Sequence, residues 1–258
     1  MPRIRVMVQN NRKDIENLIP ALIERAKTTR EAPGCLQCEF FRSSDIPENM
    51  LHLELWDSVQ SFDAYWQAHP DATFALGEPH LLQSPYHWGS PDLPRRHGQN
   101  GVEFYRHTFF ERYEEAWVPT DRSEMPVSFR WPSYAGVRII NQGTSDPENE
   151  GDRTKYTNDT REEPGCIQFE QYRSIEFPVH VTNLELWTDP RIYDYHYLNR
   201  ILQRQWGLLT RPAGSSTPIP RVNGENGFEF YQSSYYALVD GVWQPENEPE
   251  RMVTIRWP

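Results

Sequence analysis

The side chains best suited to chemistry lie in two short stretches that read NLELW and HLELW. In the first, the two-residue period of a strand places Asn183, Glu185 and Trp187 on one face and the leucines on the other. An amide at position 183 could donate a hydrogen bond to a developing oxyanion. In the second, His52 holds the same place, and its imidazole could act as a base because its ordinary pKa lies near neutrality. His52 could equally be a structural histidine within the strand.

Sequence motifs for metals, dinucleotides and nucleoside triphosphates are missing. Cys35 and Cys38 form a Cys-x-x-Cys pair, but residues three apart in a strand point to opposite faces, and no second pair completes a zinc site. The eight histidines show no His-x-x-x-His or His-Glu-x-x-His spacing. Neither Gly-x-Gly-x-x-Gly nor a Gly-Lys-Ser/Thr loop occurs. We therefore expect no metal site and no tightly bound cofactor.

Composition narrows the class of partner. The 258 residues carry a net charge of −11, which leaves no basic field for nucleic acid or an anionic membrane surface. No apolar segment has the length of a signal-peptide core or of the roughly 20 residues that span a membrane. The three cysteines are too few for a disulfide scaffold. We expect a cytoplasmic protein that acts on a small uncharged or aromatic molecule.

The chain carries one unit twice. PGCLQCEFFRSSDIPENMLHLELW begins at Pro33, and PGCIQFEQYRSIEFPVHVTNLELW begins 131 residues later, with half of the 24 positions identical. A second gapless match pairs residues 100–132 with residues 226–258. This self-similarity predicts two domains, a first repeat of residues 1–133 and a second repeat of residues 134–258.

Periodicity predicts the same order of elements in each repeat. RIRVMV alternates as a half-buried strand does, and apolar residues then recur at helical spacing from Ile15 to Ala26. CLQCEFFR and MLHLELW predict a hairpin, followed by a second helix over residues 58–69 and further strands. This α+β order is the ferredoxin-like plan with an added strand, in which one face of the sheet lacks helices. We expect the two repeats to pack sheet to sheet as an intramolecular pseudo-dimer. The residues expected between the sheets include Leu53, Leu55, Leu184 and Leu186.

One segment of the second repeat departs from this pattern. Residues 141–164 contain Tyr156 as their only large apolar residue, and Pro147 interrupts them. A helix needs an apolar stripe to dock on a sheet. We therefore expect this segment to be poorly ordered or non-helical, a degenerate first helix that leaves the second sheet thinly covered.

The stretches EAPGC, FFR and LELW, with their counterparts EEPGC, QYR and LELW, resemble the antibiotic biosynthesis monooxygenase family of the dimeric α+β barrel superfamily. The resemblance covers each repeat nearly end to end. The tandem arrangement and the two RWP endings most resemble the ring-opening oxygenases of angucycline biosynthesis, of the gilvocarcin, jadomycin and kinamycin type.

This resemblance implies an oxygenase that oxidises a polycyclic phenol or hydroquinone, an aromatic polyketide, with O₂ as co-substrate. The implied reaction is oxidative C–C cleavage that opens an angucycline ring. No metal or tightly held prosthetic group is implied, but reduced flavin (FADH2 or FMNH2) comes from outside, supplied by a separate flavin reductase. The missing cofactor motifs agree with this chemistry, because a deprotonated phenol can itself transfer an electron to O₂ in a dry pocket.

The resemblance also implies which residues act. Quinone-forming members of the family place a catalytic Asn four residues before the Trp that ends the third strand, and a Tyr six residues after that Trp. The second repeat matches this pattern with Asn183, Trp187 and Tyr193. The same positions in the first repeat are His52, Trp56 and Phe62.

Residues of the predicted second helices complete the candidate pocket. Trp66 and His69 lie three apart on one helical face and could line it, and Tyr65 and His196 are further candidates for binding substrate. A core aromatic and a solvent-facing helix end would explain Trp66 and His69 equally well. We favour the second repeat as the working site, because it keeps the family's polar residues and its thin cover would admit a tetracyclic substrate.

Two other functions stay open. Other branches of the superfamily bind or degrade haem through a helix-borne histidine, which here would be His69, His80 or His196. No single histidine recurs in both repeats at a helical position. Alternatively, the chain binds a polyketide without catalysis. In each case we expect a monomer that is already a pseudo-dimer, or a homodimer.

Overall fold

Alternating apolar and polar stretches form strands, and stretches of helical spacing form helices, as the sequence predicts. The computed structural model describes residues 3–11, 13–69, 101–106, 109–113, 116–119, 129–132, 137–149, 154–188, 190–205, 227–232, 236–239, 242–245 and 252–255. Within these ranges the chain is of the α+β class.

Both halves follow the order strand, helix, strand, strand, helix, strand. The first half contains β1 (Ile4–Asn11), α1 (Ile15–Arg30), β2 (Cys35–Ser43), β3 (Asn49–Trp56), α2 (Val59–Ala68) and β4 (Gly101–Arg106), followed by β5 (Phe109–Tyr113), β6 (Ala116–Pro119) and β7 (Phe129–Pro132). The second half contains β8 (Val137–Thr144), a 3-10 turn (Pro147–Asn149), α3 (Thr154–Arg161), β9 (Cys166–Ser174), β10 (His180–Trp187), α4 (Pro190–Gln205) and β11 (Gly227–Gln232), followed by β12 (Tyr236–Val239), β13 (Val242–Pro245) and β14 (Met252–Ile255).

Ten of these strands form one curled antiparallel sheet in the order β4-β1-β3-β2-β9-β10-β8-β11-β5-β6. The four main strands of the second half thus repeat the order of the first half in reverse. β2 and β9 join the two sets edge to edge, with Phe41 opposite Ser174, and Ser43 opposite Tyr172. Two small sheets pair β12 with β13, and β7 with β14.

Apolar side chains from both halves meet on the face of the sheet that turns away from the helices. This buried cluster contains Met7, Phe41, Leu51, Leu53, Ile140, Tyr172, Leu184 and Tyr231. Leu53 and Leu184 therefore pack in one interior, as expected, and Leu55 and Leu186 are also buried. On the opposite face of the first half, α1 and α2 cover two further clusters, around Phe40 and Trp56.

A ring of four polar side chains crosses the same interior. Arg5 donates from Nε and Nη2 to the two carboxylate oxygens of Glu229, both at 2.8 Å, and from Nη1 to Gln37 Oε1 at 2.8 Å. Gln37 donates to Gln142 at 2.9 Å, and Gln142 donates to Glu229 at 2.8 Å. We call these four side chains the polar ring. Arg5 and Gln37 come from the first half, and Gln142 and Glu229 come from the second. The full pairing of this ring is what a buried charge requires.

Gly34 and Gly165 explain why Pro-Gly-Cys occurs twice. Each adopts a positive φ, 85° and 82°, which residues with a Cβ rarely adopt. A Cβ on Gly34 would lie 2.5 Å from the Ser61 side chain, and one on Gly165 would lie 2.8 Å from Thr188. Each glycine thus lets the chain pass close to the start of the next helix and enter the following strand.

The expectation of a non-helical segment over residues 141–164 is wrong, because α3 occupies its end. This helix docks through polar groups rather than an apolar stripe. Thr157, Thr160 and Arg161 are buried, and Arg161 Nε donates to the Phe169 carbonyl at 2.8 Å. With 8 residues against 16 in α1, the helix is nevertheless short. The first helix of the second half is therefore half as long as its counterpart.

Leu184→Ala is expected to lower the free energy of unfolding by about 2 to 5 kcal/mol, because Leu184 is fully buried in the cluster shared by both halves. Urea denaturation followed by circular dichroism and tryptophan fluorescence measures this loss, and both signals should change in one transition. Leu198→Ala is the matched control, since Leu198 is 38% exposed. Separate transitions for the two probes would contradict a shared interior.

Candidate functional site

Three amide side chains form a row across the sheet of the second half. Asn183 on β10 lies opposite Asn141 on β8 and opposite Gln171 on β9. Opposing residues of antiparallel strands have Cβ atoms about 4.5 to 5.5 Å apart, so the three amides are neighbours. They share the helix-facing side of the sheet with Trp187. Among the residues that the structure describes, the Asn183 side chain has no hydrogen-bond partner, and it is only half-buried. This amide row therefore has donors available to a ligand.

In the first half, the positions equivalent to the amide row are buried and mostly apolar. The equivalent row is Val8, His52 and Phe40. His52 is 1% exposed, and its ring stacks on Phe40 at a centroid distance of 4.0 Å. Phe40 in turn packs against Leu22 of α1 and its apolar neighbours. The longer helix thus seals the first half, whereas the second half keeps its amide row partly open.

Aromatic side chains of α4 pack against Trp187 at the end of β10. Trp187 is fully buried and donates from Nε1 to Glu185 at 2.9 Å. Its ring lies 4.7 Å from the His196 ring and 6.1 Å from the Tyr193 ring. Tyr193 and His196 are three residues apart on α4, so they present the same helix face. The structure therefore brings together three residues that the sequence predicts: Trp187 on β10, and Tyr193 and His196 on α4. Asn183 lies on the same face of β10, four residues before Trp187.

His196 is held by a carboxylate that sequence analysis did not identify. Its Nδ1 lies 2.7 Å from Glu163 Oε2, just after α3, and the His196 side chain is almost fully buried. A neutral imidazole that donates from Nδ1 to a carboxylate keeps Nε2 as a proton acceptor. Glu163 also accepts from Arg200, which donates to Thr160 at 2.9 Å. We call Glu163, His196 and Arg200 the histidine triad; its geometry suits a general base.

A groove of about 730 Å³ opens beside the histidine triad, between α3 and α4. Glu163 and Arg200 belong to both, so they connect the groove with the buried histidine. The groove is lined by Asp159, Glu163, Pro164, Arg191, Ile192, Tyr195, Asn199, Arg200 and Gln203. Its size falls within the range of small-molecule sites.

The candidate residues of the first half are also assembled, but in a closed core. Trp56 donates from Nε1 to Glu54 at 2.7 Å, and its ring lies 6.0 Å from Phe62 and 5.2 Å from Tyr65. His69 is exposed at the end of α2 and stacks on Tyr65 at 4.6 Å. The side chain of Trp66 and the whole of His80 lie outside the described part of the chain.

Cys38, His52 and Glu54 converge in that core, although no spacing rule indicated it. Cys38 Sγ and Glu54 Oε1 each lie 3.3 Å from His52 Nε2. The expectation that Cys35 and Cys38 point to opposite faces is wrong, since β2 shifts register between Cys35 and Gln37. Cys35 therefore packs against the same apolar cluster as Cys38.

Burial sets the protonation of these three groups. It raises the pKa of Glu54 to about 7 and raises the pKa of the Cys38 thiol well above its ordinary value. Burial, together with the charge of Arg25, lowers the pKa of His52 well below its ordinary value. His52 is therefore neutral at pH 7, so its contact with Glu54 is not an ion pair.

Burial also raises the pKa of Glu185 beneath Trp187. In the pH range above about 4.5, the folded chain then keeps a proton that the unfolded chain has lost, so the free energy of unfolding falls as pH rises. Glu185→Gln should remove this fall, by up to about 1.4 kcal/mol per pH unit, while keeping an acceptor for Trp187. Urea denaturation of both proteins between about pH 5 and pH 8 measures the slopes. Equal slopes would contradict a raised pKa.

Comparison with known protein families gives a match for part of the chain. Residues 4–73 match the family model described as antibiotic biosynthesis monooxygenase. A candidate monooxygenase from Lactobacillus acidophilus NCFM aligns over 99% of this chain and 100% of its own, at 9% identity and a TM-score of 0.33. An anthrone oxidase-like protein aligns over 90% and 91%, at 9% identity and a TM-score of 0.29.

A mutant chlorite dismutase from Candidatus Nitrospira defluvii aligns over 88% of this chain and 89% of its own, at 12% identity and a TM-score of 0.27. Scores this low establish neither a common site nor a common reaction. The search of curated proteins found no match. In the part of the chain that the structure describes, the helices lack the length and apolar character that a membrane crossing needs.

Proposed function

We propose that this chain is an oxygenase that oxidises a phenol or hydroquinone of a polycyclic aromatic polyketide with O₂. Oxidative C–C cleavage that opens an angucycline ring is the specific reaction proposed, and the second half holds the site. The observation that carries the proposal is the histidine triad, in which His196 packs against Trp187 while Glu163 and Arg200 line an open groove. The family-model match over residues 4–73 supports the oxygenase class.

The first chemical step is removal of a phenol proton by His196 Nε2. Glu163 stabilises the resulting imidazolium, because its carboxylate accepts from Nδ1. The electron-rich phenolate can then transfer an electron to O₂. Asn183 and its neighbours in the amide row donate hydrogen bonds to the oxygen that carries the charge. In quinone formation one oxygen atom enters the substrate, and the other leaves as water with two protons and two electrons from the substrate.

Reduced flavin enters this proposal as a diffusible co-substrate supplied by a separate reductase. In the ring-opening reaction one oxygen atom would enter a C–C bond of the substrate, and the other would leave as water with two electrons and two protons that the reduced flavin supplies. The groove is a poor site for a resident flavin, whose phosphate needs cationic side chains. The groove's arginines, Arg191 and Arg200, are offset by the carboxylates of Asp159 and Glu163, and Arg200 is already bonded to Glu163 and Thr160. Metal independence is likewise part of the proposal. We expect turnover to survive dialysis against a strong chelator; a loss that iron or copper restores would contradict it.

We also propose that residues 1–133 and 134–258 act as a pseudo-dimer in which the first half supports the second. Two ion pairs across the halves support this relation. Arg30 bonds Glu176 at 2.7 and 2.9 Å, and Arg161 bonds Asp45. The repeats are offset by 131 residues, and by that offset Arg161 corresponds to Arg30, and Glu176 corresponds to Asp45. The two ion pairs therefore occupy equivalent places in the two halves.

Haem binding is a second candidate, and the same histidine favours it. Metal-ligating histidines almost always donate their other ring N–H to a carboxylate or carbonyl, as His196 does to Glu163. His196 would hold the haem iron through Nε2, and the haem would supply the redox chemistry. An absorbance scan of the purified protein decides between the two readings, since haem gives a Soret band.

An O₂-consumption screen with angucycline hydroquinones tests the oxygenase proposal. The expected result is O₂ uptake that depends on substrate and protein and yields an oxidised product identified by mass spectrometry. Bovine serum albumin at equal concentration controls for spontaneous oxidation. Tight binding of the hydroquinone without O₂ uptake would instead favour a non-catalytic polyketide-binding protein.

A further inference from the structure

We infer that the first half contains a zinc site formed by Cys38, His52 and Glu54, which is separate from the proposed oxygenase site and does not depend on it. Cys38 lies on β2, and the other two lie two residues apart on β3, so all three face the same helix layer. Their donor atoms lie within 4.8 Å of one another. All three residues are buried.

The separations match the shape of a zinc site. A tetrahedral Zn²⁺ with bonds of about 2.0 to 2.3 Å holds its donors about 3.3 to 3.7 Å apart. Cys38 Sγ and Glu54 Oε1 are each 3.3 Å from His52 Nε2. Both contacts converge on one ring nitrogen, so a single ion between the three atoms would meet every donor after small movements. Trp56 bonds the other oxygen of Glu54 and leaves Oε1 directed at the cluster.

The donor set selects the metal. A sulfur, an imidazole nitrogen and a carboxylate oxygen are all ligands that Zn²⁺ accepts, whereas Mg²⁺ and Ca²⁺ prefer oxygen alone. Zn²⁺ binding would displace the thiol proton of Cys38, and the proton of Glu54 where it is present, without any change in oxidation state. Three protein ligands leave one tetrahedral position for a water molecule.

The positive charge of Arg25 competes with a bound zinc ion for the negative charges of Glu54 and Cys38. Its guanidinium interacts with both Glu54 and Cys38, and its buried Nε has no hydrogen-bond partner among the described residues. A thiolate and a carboxylate carry two negative charges, which can balance Zn²⁺ but leave Arg25 uncompensated. Zinc affinity should therefore be moderate, and Arg25 sets its upper limit.

The second half provides an internal control. At the places of Cys38 and His52 it has Phe169 and Asn183, and only the glutamate is kept, as Glu185. Two of the three donors are thus lost together in the half that carries the amide row. The zinc site belongs to the closed half, where it would tie β2 to β3 beneath α1.

Metal content of the full chain tests the inference. The protein is produced in medium with added Zn²⁺, purified without chelators or a histidine tag, and analysed by mass spectrometry for metal. We expect about one Zn²⁺ per chain in the wild type and in the control Cys166→Ala, and at least about a tenfold loss in Cys38→Ala and His52→Asn. His52→Asn installs the residue that the second half carries at this place, so its folding is protected. Melting curves check all four proteins.

Cobalt provides a second readout. Protein produced with Co²⁺ should show a thiolate-to-cobalt charge-transfer band in the near ultraviolet, present in Cys166→Ala and absent in Cys38→Ala. Equal metal content in the wild type and both cluster variants would overturn the inference, as would a wild-type protein that contains no zinc after growth with the metal. A charge-transfer band that persists in Cys38→Ala would overturn it as well.

Discussion

His196→Ala should lower the turnover of a hydroquinone substrate by about 10² to 10⁴, the usual contribution of a positioned general base. The reason is that no other described imidazole lies beside Trp187 with Nε2 left as an acceptor. Initial rates of O₂ uptake at saturating substrate measure the loss. Melting temperature distinguishes it from unfolding, since His196 also packs against Phe169.

Glu163→Gln separates the charge of the carboxylate from its hydrogen bond. A glutamine can still accept from His196 Nδ1 but has no charge to stabilise the imidazolium, so turnover should fall. Glu162→Gln is the matched control, because Glu162 is the exposed neighbour. If Glu163→Gln and Glu162→Gln have the same turnover, the charge of Glu163 does not assist a catalytic base.

Asn183→Ala should lower turnover by about 10² to 10³, or roughly 3 to 4 kcal/mol, as expected when one donor to an oxyanion is lost. Substrate affinity should change less than turnover, because the negative charge develops only during the reaction. His52→Ala, measured alongside, tests the closed half at the equivalent place. A folded His52→Ala protein with a large loss, and an Asn183→Ala protein with none, would move the site to the first half.

Strands and most helices could be predicted from the sequence, because their periodicity reflects which face of each element is buried. α3 could not, since Thr157, Thr160 and Arg161 bury polar side chains whose hydrogen bonds replace an apolar stripe. The register shift after Cys35 was equally hidden, because one extra residue in a strand leaves no mark on composition.

Within the candidate site, Asn183 and Trp187 were found through a family pattern, whereas Glu163 was missed. It lies 33 residues from His196, and no spacing rule joins a helix end to the next helix across a hairpin. A signal was nevertheless present in the repeat itself. Where the second half has Glu163 and His196, the first half has Ala32 and Tyr65, so both members of the pair change together. Paired differences between repeats therefore identify contacts that either repeat alone conceals.

The polar ring has a consequence for how the chain is made. Arg5 lies on β1, and its partner Glu229 is made 224 residues later. Until then the guanidinium must stay hydrated, because burying it alone would cost several kcal/mol. The interior of the first half thus remains open during most of synthesis, and a fragment that ends near residue 133 should expose apolar surface and aggregate or recruit chaperones. The interior of the first half can therefore be completed only once β11 has been made.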